Sequence, residues 1–270
     1  MKTSTAYSKY FKQIAKSINS LLKKPVPEYD KEDYHRLRVE IKKLNALLDA
    51  VMFCDENFNR DKYFKAFKKI FKQAGKIRES QLEETILKKY EQYAIGHYLS
   101  DLKNSINKGQ RKFINIIDKD FRKKIKKSLR KIEPFIDKMN EQKIKEFLEN
   151  ERSKITNLIQ QKNLKPKKVH QLRKLLKVDY YNRKHLDVPG QNNNIIREED
   201  EFLVLLGKWH DCRIMNNELE KSITKEAIDP TELNQLLQID AEVLANSENL
   251  MKDINASIET KSLLFLTKKE

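Results

Sequence analysis

The stretch His35-Arg-Leu-Arg-Val-Glu-Ile-Lys-Lys-Leu44 returns, shortened, as His170-Gln-Leu-Arg-Lys-Leu-Leu-Lys177. An offset of 135 positions matches His35 to His170, Leu37 to Leu172, Arg38 to Arg173 and Lys42 to Lys177. Neither copy contains Gly or Pro, so both can run as unbroken helix. At 3.6 residues per turn, the spacing i, i+3, i+7 puts His, Arg and Lys on one side of the rod. Leu37, Ile41, Leu44, Leu48 and Val51 fall on the other side and form a core-facing stripe. Each helix therefore offers a cationic row to something outside its own core, and the chain does this twice.

The repetition extends further. Gly75-Lys-Ile-Arg-Glu-Ser-Gln-Leu82 lines up with Gly207-Lys-Trp-His-Asp-Cys-Arg-Ile214 at an offset of 132, the slip falling in the intervening turn. Each half then reads as a helix, a proline break, a histidine helix, a turn, and a helix containing Gly-Lys-x-(Arg/His)-(acid). This order predicts an all-α domain over 1–270, made of an N-terminal half (1–133) and a C-terminal half (134–270). An approximate two-fold axis between the halves would bring the two cationic rows towards one surface.

Periodicity and breakers place the elements. Tyr7, Phe11, Ile14, Ile18 and Leu21 predict a first helix over Ser4–Leu22, ended by Pro25 and Pro27. Asp30 with Asp33 starts the histidine helix, which runs to about Phe53. Tyr63, Phe67, Ile70, Ala74 and Ile77 predict a long third helix to about Tyr90. A helix over Tyr93–Leu102 and a break near Gly109 follow. Phe113, Ile117, Phe121, Ile125 and Leu129 then define a fourth main helix, ended by Pro134. The second half reads as a helix over Asn140–Lys162 ended by Pro166, a helix carrying His170 to about Leu186, one over Glu198–Ser222, then two more over Thr231–Ser247 and Glu248–Phe265. Val188-Pro-Gly-Gln-Asn-Asn-Asn194 reads as a loop.

Composition narrows the partner. Lys and Arg outnumber Asp and Glu by 56 to 40, a net charge of +16, which favours nucleic acid, an anionic membrane surface or a phosphate polymer. The excess is uneven: Lys103–Lys131 holds twelve basic and two acidic residues, while Glu218 to the end holds eleven acidic and six basic. Concentrated charge points to use rather than to a merely solvated surface. Five Gly and six Pro agree with a helical chain. Cys54 and Cys212 form neither a disulfide framework nor a zinc pattern and read as buried thiols. No signal peptide and no bilayer-spanning apolar run is visible, so the expectation is a cytoplasmic protein with no membrane partner.

The motif His-x-x-Arg-(Val/Lys)-x-x-(Lys/Arg), present twice and followed in each half by Gly-Lys-x-(Arg/His)-(acid), resembles the conserved-histidine α-helical domain (CHAD) family over roughly residues 5 to 265. The resemblance implies two antiparallel helical bundles around a pseudo-two-fold axis, with a central basic cavity that binds inorganic polyphosphate. It implies no catalysis and no cofactor. It carries over to His35, Arg38, Lys42, Lys43 and Arg78 in the first half, and to His170, Arg173, Lys174 and Lys177 in the second. The chain departs from the family pattern after Lys177, where Val178-Asp-Tyr-Tyr replaces further basic residues, and at Glu79, where the family often has Asp.

The residue chemistry agrees with that implication. Polyphosphate offers charge without bases or sugars, so its binder needs guanidinium forks, ammonium charges and N–H donors along a groove. Arg38 and Arg173 suit bidentate grips, while Lys42, Lys43, Lys174 and Lys177 add less directional charge. His35 and His170 stand near helix starts, where free N–H groups favour an anion. His210, equivalent to Arg78, offers a further donor, and the Lys119, Arg122, Lys126 and Arg130 face extends the track. Three alternatives stand beside this one. The same surface could hold nucleic acid as a competing polyanion. His170, His210-Asp211 and Asp240 or Asp253 have the order of a metal-dependent HD-type phosphohydrolase. A helical scaffold would use only its apolar stripes.

Overall fold

Nine α-helices and a 3-10 turn at Lys88–Tyr90 make up nearly all of the computed structural model, which describes residues 3–25, 28–184, 193–224 and 228–266; among these there is no strand. The helices are α1 (Thr3–Lys23), α2 (Lys31–Cys54), α3 (Arg60–Leu87), α4 (Gly96–Ile116), α5 (Lys119–Asp137), α6 (Glu141–Ile159), α7 (Pro166–Arg183), α8 (Asn193–Ile223) and α9 (Pro230–Leu266). The all-α expectation holds. Among the described residues no helix is long and apolar enough to cross a membrane.

Helix starts follow short polar side chains, as orphan N–H groups require. Asp30 and Asp33 form a reciprocal capping box on α2: Asp33 N–H donates to Asp30 Oδ1 at 2.8 Å, and Asp30 N–H donates to Asp33 Oδ2 at 3.1 Å. Asn140 Oδ1 accepts from Gln142 N–H at 2.9 Å to open α6, and Asp229 Oδ1 accepts from Thr231 N–H at 2.9 Å to open α9. Pro166 is the first residue of α7, where a missing N–H costs nothing.

Three expected breaks are absent. Gly109 lies inside α4, and its carbonyl accepts from Gln73 Nε2 at 2.8 Å. A Cβ there would lie 2.9 Å from Ile77 Cγ1, so this glycine serves close helix approach rather than helix termination. The chain breaks instead at Ile117–Asp118, where Asp118 Oδ1 accepts from Phe121 N–H at 2.6 Å and starts α5. Pro134 lies within α5 because it is exposed near the C-terminal end; the Arg130 carbonyl it leaves unpaired belongs to an exposed residue that water reaches. The two expected final helices are one helix, α9, with no Gly or Pro after its first residue. Pro27 and residues 188–192 of the expected loop lie outside the described residues, and Asn193 and Asn194 begin α8.

The chain divides into two units, each discontinuous in sequence. The first comprises 1–81, 103–152 and 177–188. Its core gathers the predicted stripes of α1, α2, α3 and α5, with Phe113, Ile144 and Phe147. Leu37, Leu44, Leu48 and Val51 are fully buried, as the first stripe requires. Tyr29, Tyr34 and Phe113 meet edge-on or tilted at 5.1–5.5 Å between ring centroids and fix the start of α2. The second unit comprises 82–102, 153–176 and 189–270, and in it α8 packs along α9. One cluster there joins Leu158, Val169, Leu172, Leu206, Trp209 and Ile254; another joins Leu87, Tyr98, Met215, Leu219 and Ile239.

Candidate functional site

In the first unit Arg38 leaves α2 and lies against α3. Its Nη1 donates to the Phe71 carbonyl at 3.2 Å, and its Cζ stands 4.5 Å from the centre of the Phe71 ring. Its Nη2 lies 3.9 Å from Glu79 Oε1, and the side chain is only 17% exposed. Gly75 makes this possible, because a Cβ there would stand 2.0 Å from Arg38 Nη1. The glycine of the first Gly-Lys motif and the arginine of the first histidine motif are thus two parts of one contact. Lys43 is likewise engaged locally, donating to Glu40 Oε1 at 2.7 Å.

Around His35 the arrangement differs. Burial is the main influence lowering its pKa; Arg78 adds to this, followed by Lys42 and Lys177, with Glu32 opposing. His35 is therefore a neutral, half-buried imidazole at pH 7, in the electrostatic field of cations from three helices. Lys42 belongs to its own helix, Arg78 to α3 and Lys177 to α7. Lys42 also lines a cavity of about 330 Å³ with Arg60, Lys68 and Lys72. Arg60 is held in place by Asp49 at 2.9 Å and Asn45 at 2.7 Å. The start of α2 offers less to an anion than its sequence suggests, since its own Asp30 and Asp33 carboxylates already occupy it.

The residues after Lys177 explain how α7 reaches this unit. Val178 packs against the unit's core, Asn182 Nδ2 donates to the Ala46 carbonyl at 3.0 Å, and buried Asp179 accepts from Arg183 Nε at 2.7 Å. Val178-Asp-Tyr-Tyr, the departure from the family pattern, is docking surface.

In the second unit the two histidines singled out from the sequence meet. The rings of His170, on α7, and His210, on α8, stack with centroids 5.3 Å apart and planes 16° from parallel. His210 Nδ1 is buried and has no hydrogen-bond partner among the described residues; Asp211 Oδ1 lies 3.8 Å away, beyond hydrogen-bonding reach. The pair lines a pocket of about 640 Å³ with Lys165, Lys167 and Arg213. Burial chiefly lowers the pKa of His170, with Lys174, His210, Arg173 and Arg213 acting in the same direction. Trp209 is core, 2% exposed, with Arg213 Cζ 5.7 Å from its ring centre. Gly207 has open space where a Cβ would stand, so it seats no arginine.

Lys119, Arg122, Lys126 and Arg130 stand exposed along α5, and the charges that bear most on His35 are others. Sequence reasoning missed Lys165, Lys167 and Arg213. Arg213 stands one helical turn past His210, and the two lysines flank the proline that starts α7, so spacing alone held the signal. Cys54 and Cys212 are free and half-buried. Among the described residues no three His, Cys, Asp or Glu side chains gather as ligands of one ion would.

No protein-family model matches the chain, and no curated protein matches it. Among solved structures, the crystal structure of the CHAD domain from the plant Ricinus communis matches with a TM-score of 0.77 at 11% identity, over 96% of this chain and 92% of that one. The chain has a CHAD-like fold.

Proposed function

We propose that this chain binds inorganic polyphosphate and holds it without converting it. The observation that carries this reading is the basic cavity lined by Lys42, Arg60, Lys68 and Lys72, with the positive field that Arg78, Lys42 and Lys177, from three different helices, exert at His35. Helices α2, α3 and α7 each contribute, so the charge is concentrated by the fold and not merely by a run in the sequence. Arg78 suits a directional grip on phosphate oxygens, and the two lysines add point charge. Arg38 acts through position: clamped over Gly75, it fixes α2 on α3 and so sets the spacing of His35 and Arg78. The cavity edged by Lys42, Arg60, Lys68 and Lys72 continues the positive track. The resemblance of the two motif pairs to the CHAD family supplies the ligand class, and the likeness in fold is consistent with it.

Phosphate-backbone binding of nucleic acid is the rival use of the same charges. Phe67, Phe113 and Tyr34 are core residues with no face free for base stacking, which leaves Phe64 and Phe71, in the cavity beside Lys42, as the aromatics this rival would use. Direct competition at fixed salt separates the two. Polyphosphate should displace bound single-stranded RNA far more readily than RNA displaces polyphosphate. Equal or stronger retention of RNA would overturn the proposal. Binding should also weaken steeply with added salt, as expected when phosphate charges are neutralised by lysine and arginine.

A further inference from the structure

The two units solve the same position differently. Beside His35 stands Arg78, a permanent cation; beside His170 stands His210, an imidazole stacked on it at 5.3 Å. Resting on the polyphosphate reading, we propose that the pocket between α7 and α8 is a proton-coupled seat for a phosphoryl group. In it the His170–His210 pair takes up a proton as the anion enters.

The geometry carries this in three steps. Two parallel imidazoles at this separation cannot both become cations cheaply, and Lys165, Lys167 and Arg213 on the same wall add to the repulsion. From α7, Arg173 and Lys174 also act on His170; from α8, Asp211 is the nearest carboxylate to His210. None of the pocket's lining residues comes from α9, the helix that packs along α8. The empty pocket therefore disfavours a charged His170 beside His210. A phosphate oxygen placed among these groups reverses the balance, because it attracts every cation on the wall and favours an imidazolium over an imidazole. His210 lines the pocket, and its buried Nδ1 has no hydrogen-bond partner among the described residues. No bond is made or broken; one proton moves from solvent to the pair.

The sign follows from linkage. A group whose pKa rises on binding makes the complex tighter at low pH, and the gain is lost as pH climbs through the bound-state pKa. Affinity for long-chain polyphosphate, whose internal groups stay ionised throughout, should be about tenfold higher near pH 5.5 than near pH 8, as uptake of about one proton allows.

The test compares wild type, His210→Arg and the double variant His170→Gln/His210→Gln, with each fold checked by circular dichroism. Titrations with long-chain polyphosphate would be run across this pH range, and calorimetry in buffers of different ionisation enthalpy would count protons. His210→Arg installs the fixed charge that the first unit carries, so its affinity should vary less with pH than that of wild type and lie above it at pH 8. The double variant should be weak, with a shallower slope than wild type. Wild type should take up more protons on binding than either variant, because His35 is common to all three. If polyphosphate binds wild type with a pH slope that both variants retain, this inference fails and the polyphosphate reading survives. If it binds at no pH, both fall.

Discussion

Replacing Gly75 with alanine puts a methyl group into the space that Arg38 occupies. The new Cβ would lie 2.0 Å from Nη1 and 3.2 Å from Cζ, so the guanidinium must swing away. It then loses its hydrogen bond to the Phe71 carbonyl, which as a charged donor contributes about 1.5–3 kcal/mol. It also loses its place over the Phe71 ring, about 0.5–1 kcal/mol. The contact with Glu79, at 3.9 Å and half in water, adds little. Against this, alanine in a helix gains about 1 kcal/mol over glycine. The balance is a loss of about 2 kcal/mol, measurable as a lowered midpoint in guanidinium denaturation. The informative step is the double-mutant cycle. In an Arg38→Ala background nothing remains to displace, and Gly75→Ala should stabilise by up to about 1 kcal/mol. A reversal of sign between backgrounds is the expected outcome. Equal destabilisation in both would show that Gly75 serves something other than Arg38.

Three further outcomes are expected. Gly207→Ala, where a new Cβ meets open space, should stabilise by up to about 1 kcal/mol in the same assay, in contrast to its counterpart in the first half. Asp30→Ala should remove the capping box of α2 at a cost of about 1 kcal/mol, and a denaturation midpoint unchanged from wild type would contradict it. Burial pushes the Cys54 thiol up to about 11, with Lys143 opposing and Glu146 and Asp55 assisting. Native Cys54 should therefore alkylate more slowly than the unfolded chain at pH 8 and faster as pH approaches 11. Because the unfolded thiol ionises first, stability should fall as pH rises through that window.

The legible parts of the fold were those where one local signal decides the outcome. Asp30 with Asp33 at a helix start needed no tertiary knowledge, and the i, i+4 stripes became the buried faces; Pro166, read as ending one helix, instead opens the next. Gly109 misled because a glycine that ends a helix and one that lets two helices touch look alike in sequence; only Ile77 across the gap distinguishes them. Pro134 misled because its cost depends on which side of the helix faces water. At the site, the duplicated motifs singled out both His170 and His210, whose rings stack, without indicating that they would meet. The inward turn of Arg38 was hidden, since it depends on the absent Cβ of a residue 37 positions away. Lys167 and Arg213 stand one helical turn from His170 and His210, and were overlooked because neither belongs to the duplicated motifs; only the fold shows that the α7 and α8 residues share one pocket.

Titration of polyphosphate of defined length against wild type and the Arg78→Glu/Lys177→Glu variant tests the central claim most directly, because these two residues reach His35 from different helices. With the fold intact by circular dichroism, the variant should lose at least about tenfold in affinity, as reversing two charges at a polyanion site demands. An affinity equal to wild type would mean that the cations around His35 do not hold the polymer.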